Sequence, residues 1–215
     1  MSDASAPQRA PDWIPLALGI GFGVEFLVLA WRPFDRSDWL LENLISAPAA
    51  LGLVLARRRL PFSTTAWCLL FGFLALHEIG SHYTYSLVPW MEWSRALLGW
   101  APDWSRNHYD RLLHLAFGLM LTRPIAELLA APLGASPVLR RVLPICCIAT
   151  GSLIYELLEW SAASVFDPEL GIAFLGAQGD PWDAQKDMAL ALAGSVLAAL
   201  ADWLGERIRR PPATG

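Results

Sequence analysis

Long apolar stretches separated by short polar connections dominate the hydropathy pattern of this chain. A bilayer crossing needs about 20 mostly apolar residues, and six stretches approach that length. They cover residues 13–31, 39–56, 64–83, 108–131, 140–163 and 182–204. The pattern predicts an all-α fold, a polytopic integral membrane helix bundle with about six transmembrane helices.

The same pattern gives no sign of a domain boundary or of an internal repeat. We therefore expect a single transmembrane domain over residues 13–205, between a flexible N-terminal segment (1–12) and a short tail (206–215). The first apolar stretch lacks a small-residue cleavage site and continues through Glu25 to Arg32. We expect it to be a retained span and not a cleaved signal peptide.

Composition supports a membrane protein and excludes several other classes. Hydrophobic residues make up 55% and charged residues 17% of the 215 positions, against about 25% charged residues in typical domains. The net charge is −4, so no basic excess is present to meet the phosphates of a nucleic acid. A disordered or fibrous chain is excluded as well. Cys68, Cys146 and Cys147 lie in apolar runs without a C-x-x-C spacing, which is typical of small core residues.

Basic residues and tryptophans predict how the chain is oriented. Ten of the sixteen basic residues fall in one set of connections: Arg9, Arg57, Arg58, Arg59, Arg123, Arg140, Arg141, Arg207, Arg209 and Arg210. The positive-inside rule makes that side cytoplasmic, with both termini inside. Eight of the eleven tryptophans fall on the other side and would form an interfacial belt: Trp31, Trp39, Trp90, Trp93, Trp100, Trp104, Trp160 and Trp182.

The outer loop 84–107 contains a short amphipathic stretch, residues 89–100, that is too short to cross a membrane. Its apolar residues would line one side of a helix lying in the outer interface. Two interpretations remain for this segment, an aromatic anchor and an interfacial lid.

Ionisable residues gather on the outer half of the predicted bundle. All four histidines fall there (His77, His82, His108 and His114), with fifteen of the twenty acidic residues: Glu25, Asp35, Asp38, Glu42, Glu78, Glu92, Asp103, Asp110, Glu156, Glu159, Asp167, Glu169, Asp180, Asp183 and Asp187. Because such groups are costly in lipid, we expect them to face the protein interior or a wet cavity.

Several of these residues form pairs along one helical face. The pairs are Glu78/His82, Asp110/His114, Glu156/Glu159 and Asp183/Asp187. Glu and His on facing helices build the metal sites of helix bundles, so we predict a divalent metal site with candidate ligands His77, His82, His114, Glu156, Glu159, Asp183 and Asp187. Mixed oxygen and imidazole ligands suit zinc, iron or manganese better than copper(I). No organic cofactor is implied.

Simpler explanations cover part of this cluster. Asp180 and Asp110 stand where helix-capping residues are favoured. Buried ion pairs with Arg32, Arg36, Arg106, Arg111 or Lys186 are an alternative to a metal site. The sequence from His77 to His82 is not the zincin motif H-E-x-x-H, because a separation of five residues turns the two histidines about 140° apart on a helix.

Five stretches of the chain together resemble the bacterial inner-membrane family called YjdF, a family of unknown function. They are residues 33–43, 77–85, 106–114, 155–160 and 178–188, and the similarity extends over about residues 34–195. The resemblance implies a multi-pass protein of the bacterial cytoplasmic membrane. It supplies no catalytic residues.

Three functions fit these observations. The first is a metal-dependent hydrolase or transferase acting on a lipid or lipid-linked substrate from the periplasmic side. In it Glu78 or Asp110 is the general acid or base, and basic residues (Arg106, Arg111 and Lys186) hold an anionic head group. The second is a proton- or metal-ion-coupled transporter. The third is a non-catalytic scaffold with a buried ion-pair network.

The partners expected from the sequence are membrane lipids, and no nucleic acid. A glycine face on the first span and small residues on the last span permit a homo-oligomer without requiring one.

Overall fold

Helices form where the apolar stretches predict them, in a computed structural model that describes residues 8–101, 106–130, 137–165 and 178–209. Seven helices lie within these ranges: α1 (Trp13–Leu29), α2 (Arg36–Ala56), α3 (Thr64–His82), α4 (Trp90–Leu98), α5 (Tyr109–Leu129), α6 (Pro137–Val165) and α7 (Asp183–Arg209). The described part of the chain contains no β-strand. The prediction of an all-α fold is confirmed.

Capping residues explain where α2 and α3 begin. The side chain of Asp35 accepts hydrogen bonds from the amides of Ser37 and Asp38, so α2 begins three residues before the predicted span. Ser63 caps α3 by accepting a hydrogen bond from the amide of Ala66. Capping side chains satisfy amides that have no partner within the helix.

Within the described ranges, four helices are long and apolar enough to cross a membrane: α2, α5, Val138–Val165 of α6 and Asp183–Ile208 of α7. The other two predicted spans correspond to α1, which is apolar but only 17 residues long, and to α3. The C-terminal end of α3 is polar, with His77, Glu78 and Ser81 buried inside the bundle. That end is therefore stabilised by protein contacts and not by lipid.

The closest helix pair is α5 with α7. A Cβ atom added to Gly118 would overlap the carbonyl oxygen of Ala191, and one added to Gly194 would overlap that of Leu115. The hydroxyl of Thr122 also donates a 2.6 Å hydrogen bond to Ser195 Oγ. Glycine at these two positions lets the backbones touch, and this fixes the α5 and α7 side chains relative to one another.

The remaining helices surround this pair. α3 and α6 pack against α5, α6 also packs against α7, and α1 and α2 pack against α3. An aromatic core that includes Phe22, Phe62, Trp67 and Phe71 holds α1 to α3.

Both ends of the predicted domain extend further than expected. The buried residue Ala10 donates its amide hydrogen to Phe62 O, so the chain contacts the bundle before α1 begins. At the other end α7 continues to Arg209, so the start of the predicted tail is helical.

The segment before α5 contains the expected short helix. No residue of α4 is buried, and Leu97 and Leu98 are 83% and 77% exposed. The side chain of Asn107 ties this segment to the start of α5, because it accepts a hydrogen bond from Trp90 Nε1 and donates one to Val88 O. Residues 102–105 of the predicted loop lie outside the described residues.

Candidate metal centre

Three candidate site residues meet where the N-termini of α5 and α7 lie side by side. Asp110 and His114 lie one turn apart on α5, and Asp187 faces them from α7. Their ligand atoms lie within 4.8 Å of one another. The glycine contacts between α5 and α7 explain why two helices can bring short carboxylate side chains this close.

Glu156 on α6 joins this group. His114 Nε2 lies 3.6 Å from Asp110 Oδ1 and 3.5 Å from Glu156 Oε1. Two buried carboxylate oxygens, Asp187 Oδ1 and Glu156 Oε1, have no hydrogen-bond partner among the described residues. Leaving a buried acceptor unsatisfied is costly, so a ligand or a proton is needed to complete the group. We call Asp110, His114, Glu156 and Asp187 the central group.

Two more buried carboxyl groups lie at this level of the bundle. Glu159 on α6 and Glu42 on α2 are both buried. Glu159 lies within electrostatic range of Glu42 and of the central group. In their ionised form these carboxyl groups would attract a cation bound to the central group.

Tyrosine hydroxyls hold the carboxylate of Glu42. Tyr155 donates a 2.8 Å hydrogen bond to Glu42 Oε2, and the hydroxyl of Tyr85 lies 3.4 Å from the same oxygen. The Tyr85 hydroxyl also lies 2.6 Å from His77 Nδ1. His77, a predicted ligand, is thus bonded to this chain of polar groups beside the central group.

A layer of ion pairs lies beside the central group, at the N-terminal ends of α5 and α7. Arg106 forms a two-oxygen pair with Asp183 at 2.6 and 2.7 Å, and Arg111 contacts both Asp180 and Asp183. Lys186 pairs with Asp180. Asp183, a predicted metal ligand, is therefore the shared acceptor of two arginines.

These pairs change the acidity of Asp180, which lies in the connection before α7. Hydrogen bonding to the Lys186 ammonium, to the amide of Trp182 and to Arg111 holds the pKa of the Asp180 carboxyl well below its usual range. Asp180 is therefore ionised throughout the physiological pH range. Arg111 and Lys186, expected from the sequence to bind a substrate anion, already have acidic partners in this layer.

Glu78 belongs to a different polar cluster, between α2 and α3. Its Oε1 accepts a 2.9 Å hydrogen bond from Trp39 Nε1, and Asn43 donates a 2.7 Å hydrogen bond to Ser81 Oγ nearby. Glu78 Oε2 is buried without a hydrogen-bond partner in the described structure. Trp39, expected in the interfacial belt, is buried because it binds Glu78.

His82 also has a structural partner. Its Nδ1 lies 2.6 Å from the carbonyl oxygen of Leu29, the last residue of α1. His77 and His82 thus contact different parts of the molecule, as their separation of five residues predicts. Of the seven predicted ligands, the structure brings His114, Glu156 and Asp187 together, with Glu159 in electrostatic range.

Sequence reasoning did not include Glu42, Tyr85 and Tyr155 among the site residues. Glu42 could have been recognised because it is an acidic residue inside a predicted transmembrane span. Asp103, Trp104, Asp167 and Glu169, counted with the outer polar residues and the tryptophan belt, lie outside the described residues.

A second buried carboxylate cluster lies at the other end of α5. Glu127 accepts hydrogen bonds from the amide and the hydroxyl of Ser63, each 2.7 Å long. Arg123 Nε donates to the same carboxylate at 3.2 Å. Glu127 therefore joins α5 to the N-terminus of α3, and both of its carboxylate oxygens accept hydrogen bonds.

The apolar helices and the buried polar groups between them define an integral membrane protein. Residues 14–207 match the family described as "Predicted membrane protein (DUF2238)", and the chain belongs to that family. It is also 32% identical over 167 residues to inner membrane protein YjdF of Escherichia coli (strain K12), which covers 77% of this chain and 78% of that relative. No solved structure matches the chain.

Proposed function

We propose that this protein is a metal-dependent hydrolase or transferase that acts on a lipid or lipid-linked substrate at the membrane surface. The observation that carries the proposal is the convergence of Asp110, His114 and Asp187 to within 4.8 Å. The unpartnered oxygens of Asp187 and Glu156 support it, because a bound cation would satisfy both.

The donor set fits a divalent metal ion. Carboxylate oxygens from three helices and one imidazole nitrogen are ligands that zinc, iron and manganese accept. The chemistry that such an ion supplies when bound is polarisation of a carbonyl or phosphoryl oxygen and activation of water. His114, Asp187 and Glu156 would hold it, with the Asp110 carboxylate beside them.

The protein's own groups would then bind the substrate and transfer protons. Asp110, whose Oδ1 lies 3.6 Å from His114 Nε2, would act as general acid or base. Glu78 receives less support for that role, because it is bonded to Trp39 in the neighbouring cluster. Arg111 and Lys186 would release Asp180 and bind an anionic head group in its place.

The same proposal includes an orientation in the cytoplasmic membrane. We assign six spans, with α1 and α3 added to the four long apolar helices, and both termini on the cytoplasmic side. The excess of arginine on one side supports this orientation, since cytoplasmic connections are rich in basic residues. The central group then faces the periplasm, with α4 in the outer interface as an anchor or lid.

Metal analysis of the purified protein tests the proposal. We expect about one divalent ion per chain, loss of that ion in His114→Ala and Asp187→Asn, and retention in Glu127→Gln, a matched change to a buried carboxylate at the other end of α5. Loss of affinity in the first two should exceed about 100-fold, because changes to groups around a metal ligand already cost about 10–100-fold. A metal-free protein that is fully stable and unaffected by chelators would contradict the proposal.

Activity is tested on the metal-loaded protein in vesicles of phosphatidylethanolamine and phosphatidylglycerol, with lipid turnover followed by mass spectrometry. Turnover that disappears in Asp187→Asn supports the enzyme. Ion flux across the vesicle membrane that Glu156→Gln abolishes, without lipid turnover, would favour a transporter instead. A transporter needs a polar path through the bundle, and Glu127 is the buried carboxylate at the far end of α5 that could continue such a path. Its hydrogen bonds to Ser63 give it a structural role instead, which weakens that alternative.

The ion-pair layer supports a scaffold as the other alternative. Arg106 and Arg111 share Asp183 in an arrangement that needs no ligand. If the scaffold is correct, neutralising both members of a pair restores the stability that each single change removes, and neither metal binding nor turnover is observed.

A further inference from the structure

A hydrogen bond connects α6 with α2 beside the central group. The Tyr155 hydroxyl of α6 donates to Glu42 Oε2 of α2 at 2.8 Å. The extended packing of α2 is against α1 and α3, and that of α6 is against α5 and α7. The bond therefore joins two helices that have no extended contact with each other. It is a specific side-chain contact and not a by-product of helix packing.

The acceptor of this bond is held in place from a second side. Glu42 is buried, and the Tyr85 hydroxyl lies 3.4 Å from the oxygen that Tyr155 contacts. Tyr85 is itself buried and bonded to His77 Nδ1 at 2.6 Å. The position of Glu42 Oε2 is consequently set by groups from α3 and from the segment after it, so Tyr155 binds to a fixed point.

The ring of Tyr155 reaches the central group directly. It meets the imidazole of His114 edge to face, with the ring centroids 6.2 Å apart and the planes at 68°. His114 Nε2 lies between Asp110 Oδ1 and Glu156 Oε1, at 3.6 and 3.5 Å. A tyrosine ring that cannot turn restricts the rotation of the imidazole and keeps Nε2 directed at these two carboxylates.

We propose that Glu42 and Tyr155 are positioning residues of the metal centre: the α2 carboxylate fixes the tyrosine, and the tyrosine fixes the orientation of His114. This inference rests on the proposed metal site. Groups that hold a metal ligand in its binding orientation raise the metal affinity, and their loss typically costs about 10–100-fold.

Cobalt(II) binding to the full-length protein in detergent micelles tests the inference, because the visible absorption of Co²⁺ reports ligand geometry. Tyr155→Phe removes only the hydroxyl that binds Glu42. Tyr109→Phe is its matched control, since Tyr109 precedes Asp110 of the central group and the change also removes one hydroxyl bond, 2.7 Å long, to Leu76 O. Glu42→Gln keeps an acceptor oxygen for Tyr155, whereas Glu42→Leu does not.

We expect Tyr155→Phe and Glu42→Leu to weaken Co²⁺ affinity by about 10-fold or more and to change the absorption spectrum. Tyr109→Phe and Glu42→Gln should keep the spectrum of the unaltered protein and lie within about 3-fold of its affinity. A lower melting temperature with an unchanged spectrum in Tyr155→Phe would show a merely structural role and overturn the inference.

Two further outcomes are informative. If Tyr155→Phe does not fold, the contrast between Glu42→Gln and Glu42→Leu carries the test, and equal spectra in that pair overturn the inference. Unaltered protein that binds no Co²⁺ overturns the metal site itself, and the inference with it. Unaltered protein that binds Co²⁺, with Tyr155→Phe indistinguishable from it, overturns the positioning role alone.

Discussion

The two ends of α5 each carry a buried carboxylate cluster, and the two clusters differ in how their oxygens are satisfied. At one end Glu127 accepts from Ser63 twice and from Arg123. At the other end, about 25 Å away along the helix, Asp187 and Glu156 each keep a buried oxygen without a partner in the described structure. Satisfied carboxylates are typical of structural contacts, whereas a buried carboxylate oxygen without a partner requires an explanation, such as a bound ion.

The composition of each cluster explains this difference. Glu127 is one carboxylate facing an arginine and the N-terminus of α3, where helix amides attract negative charge. The central group holds three carboxylates and a single histidine, and its nearest arginines are already paired with Asp180 and Asp183. Burial alone therefore does not identify a site. The balance between donors and acceptors separates the two clusters.

The largest expected effect on stability comes from removing the Glu127 carboxylate, which joins α5 to the N-terminus of α3. Glu127→Ala leaves the amide and hydroxyl of Ser63 unsatisfied and should lower the free energy of unfolding by about 2–3 kcal/mol, since hydrogen bonds to charged groups are worth about that much. Denaturant unfolding in micelles measures it. Asp202→Ala removes only the half-exposed partner of Arg123 and should cost less than about 1 kcal/mol.

Measuring the metal content of the Glu127→Ala protein shows whether the two clusters have different roles. Glu127→Ala should keep the full metal content of the unaltered protein. A variant that kept its stability and lost its metal would reverse the roles of the two clusters.

A smaller effect is expected at His82, which was predicted to be a metal ligand but has a structural partner. His82→Ala removes the contact with Leu29 O and should cost about 1 kcal/mol, the usual net value of one hydrogen bond. The bound metal should be retained, in contrast to His114→Ala. Metal loss from a folded His82→Ala protein would return His82 to the ligand set predicted from the sequence.

The smallest effect concerns the pH dependence of the ion-pair layer. Because the folded protein holds the pKa of Asp180 below its usual range, the stability from this carboxylate is fully present above the unfolded pKa, about 4. It is lost only as the pH falls through the lower pKa of the folded state.

The isosteric variant Asp180→Asn makes this measurable. The difference in melting temperature between it and the unaltered protein should be constant from pH 8 to about 5 and should shrink only in more acidic buffer. A difference that grew as the pH fell would show that the carboxylate is not stabilised by its partners.

Helical spacing made part of the site predictable. Asp110 with His114, and Asp183 with Asp187, were expected to share a helical face, and the α5 pair does point at Asp187. The spacing did not reveal that Asp183 turns to two arginines while Asp187 turns inward. Residues four apart share a face in a helix, but the neighbouring helix determines which partner each one meets.

Other residues could not be assigned from spacing at all. His82 contacts the last carbonyl of α1 and Glu78 contacts Trp39, and both partners lie far away in the sequence. Glu42 reaches Tyr155 across 113 positions. A pairing over such a distance depends on how the helices are arranged, which the hydropathy pattern of a single helix does not contain.

The amino-acid sequence by itself determined the all-α class and the apolar helices, and it predicted that ionisable residues gather at one end of the bundle. These properties follow from local composition and periodicity, which act over one or two helical turns. The tertiary structure alone determined which carboxylates are satisfied and which are not. Gly118 and Gly194 let α5 and α7 touch, and that contact brings Asp187 to His114 while Glu127 binds Ser63 at the far end.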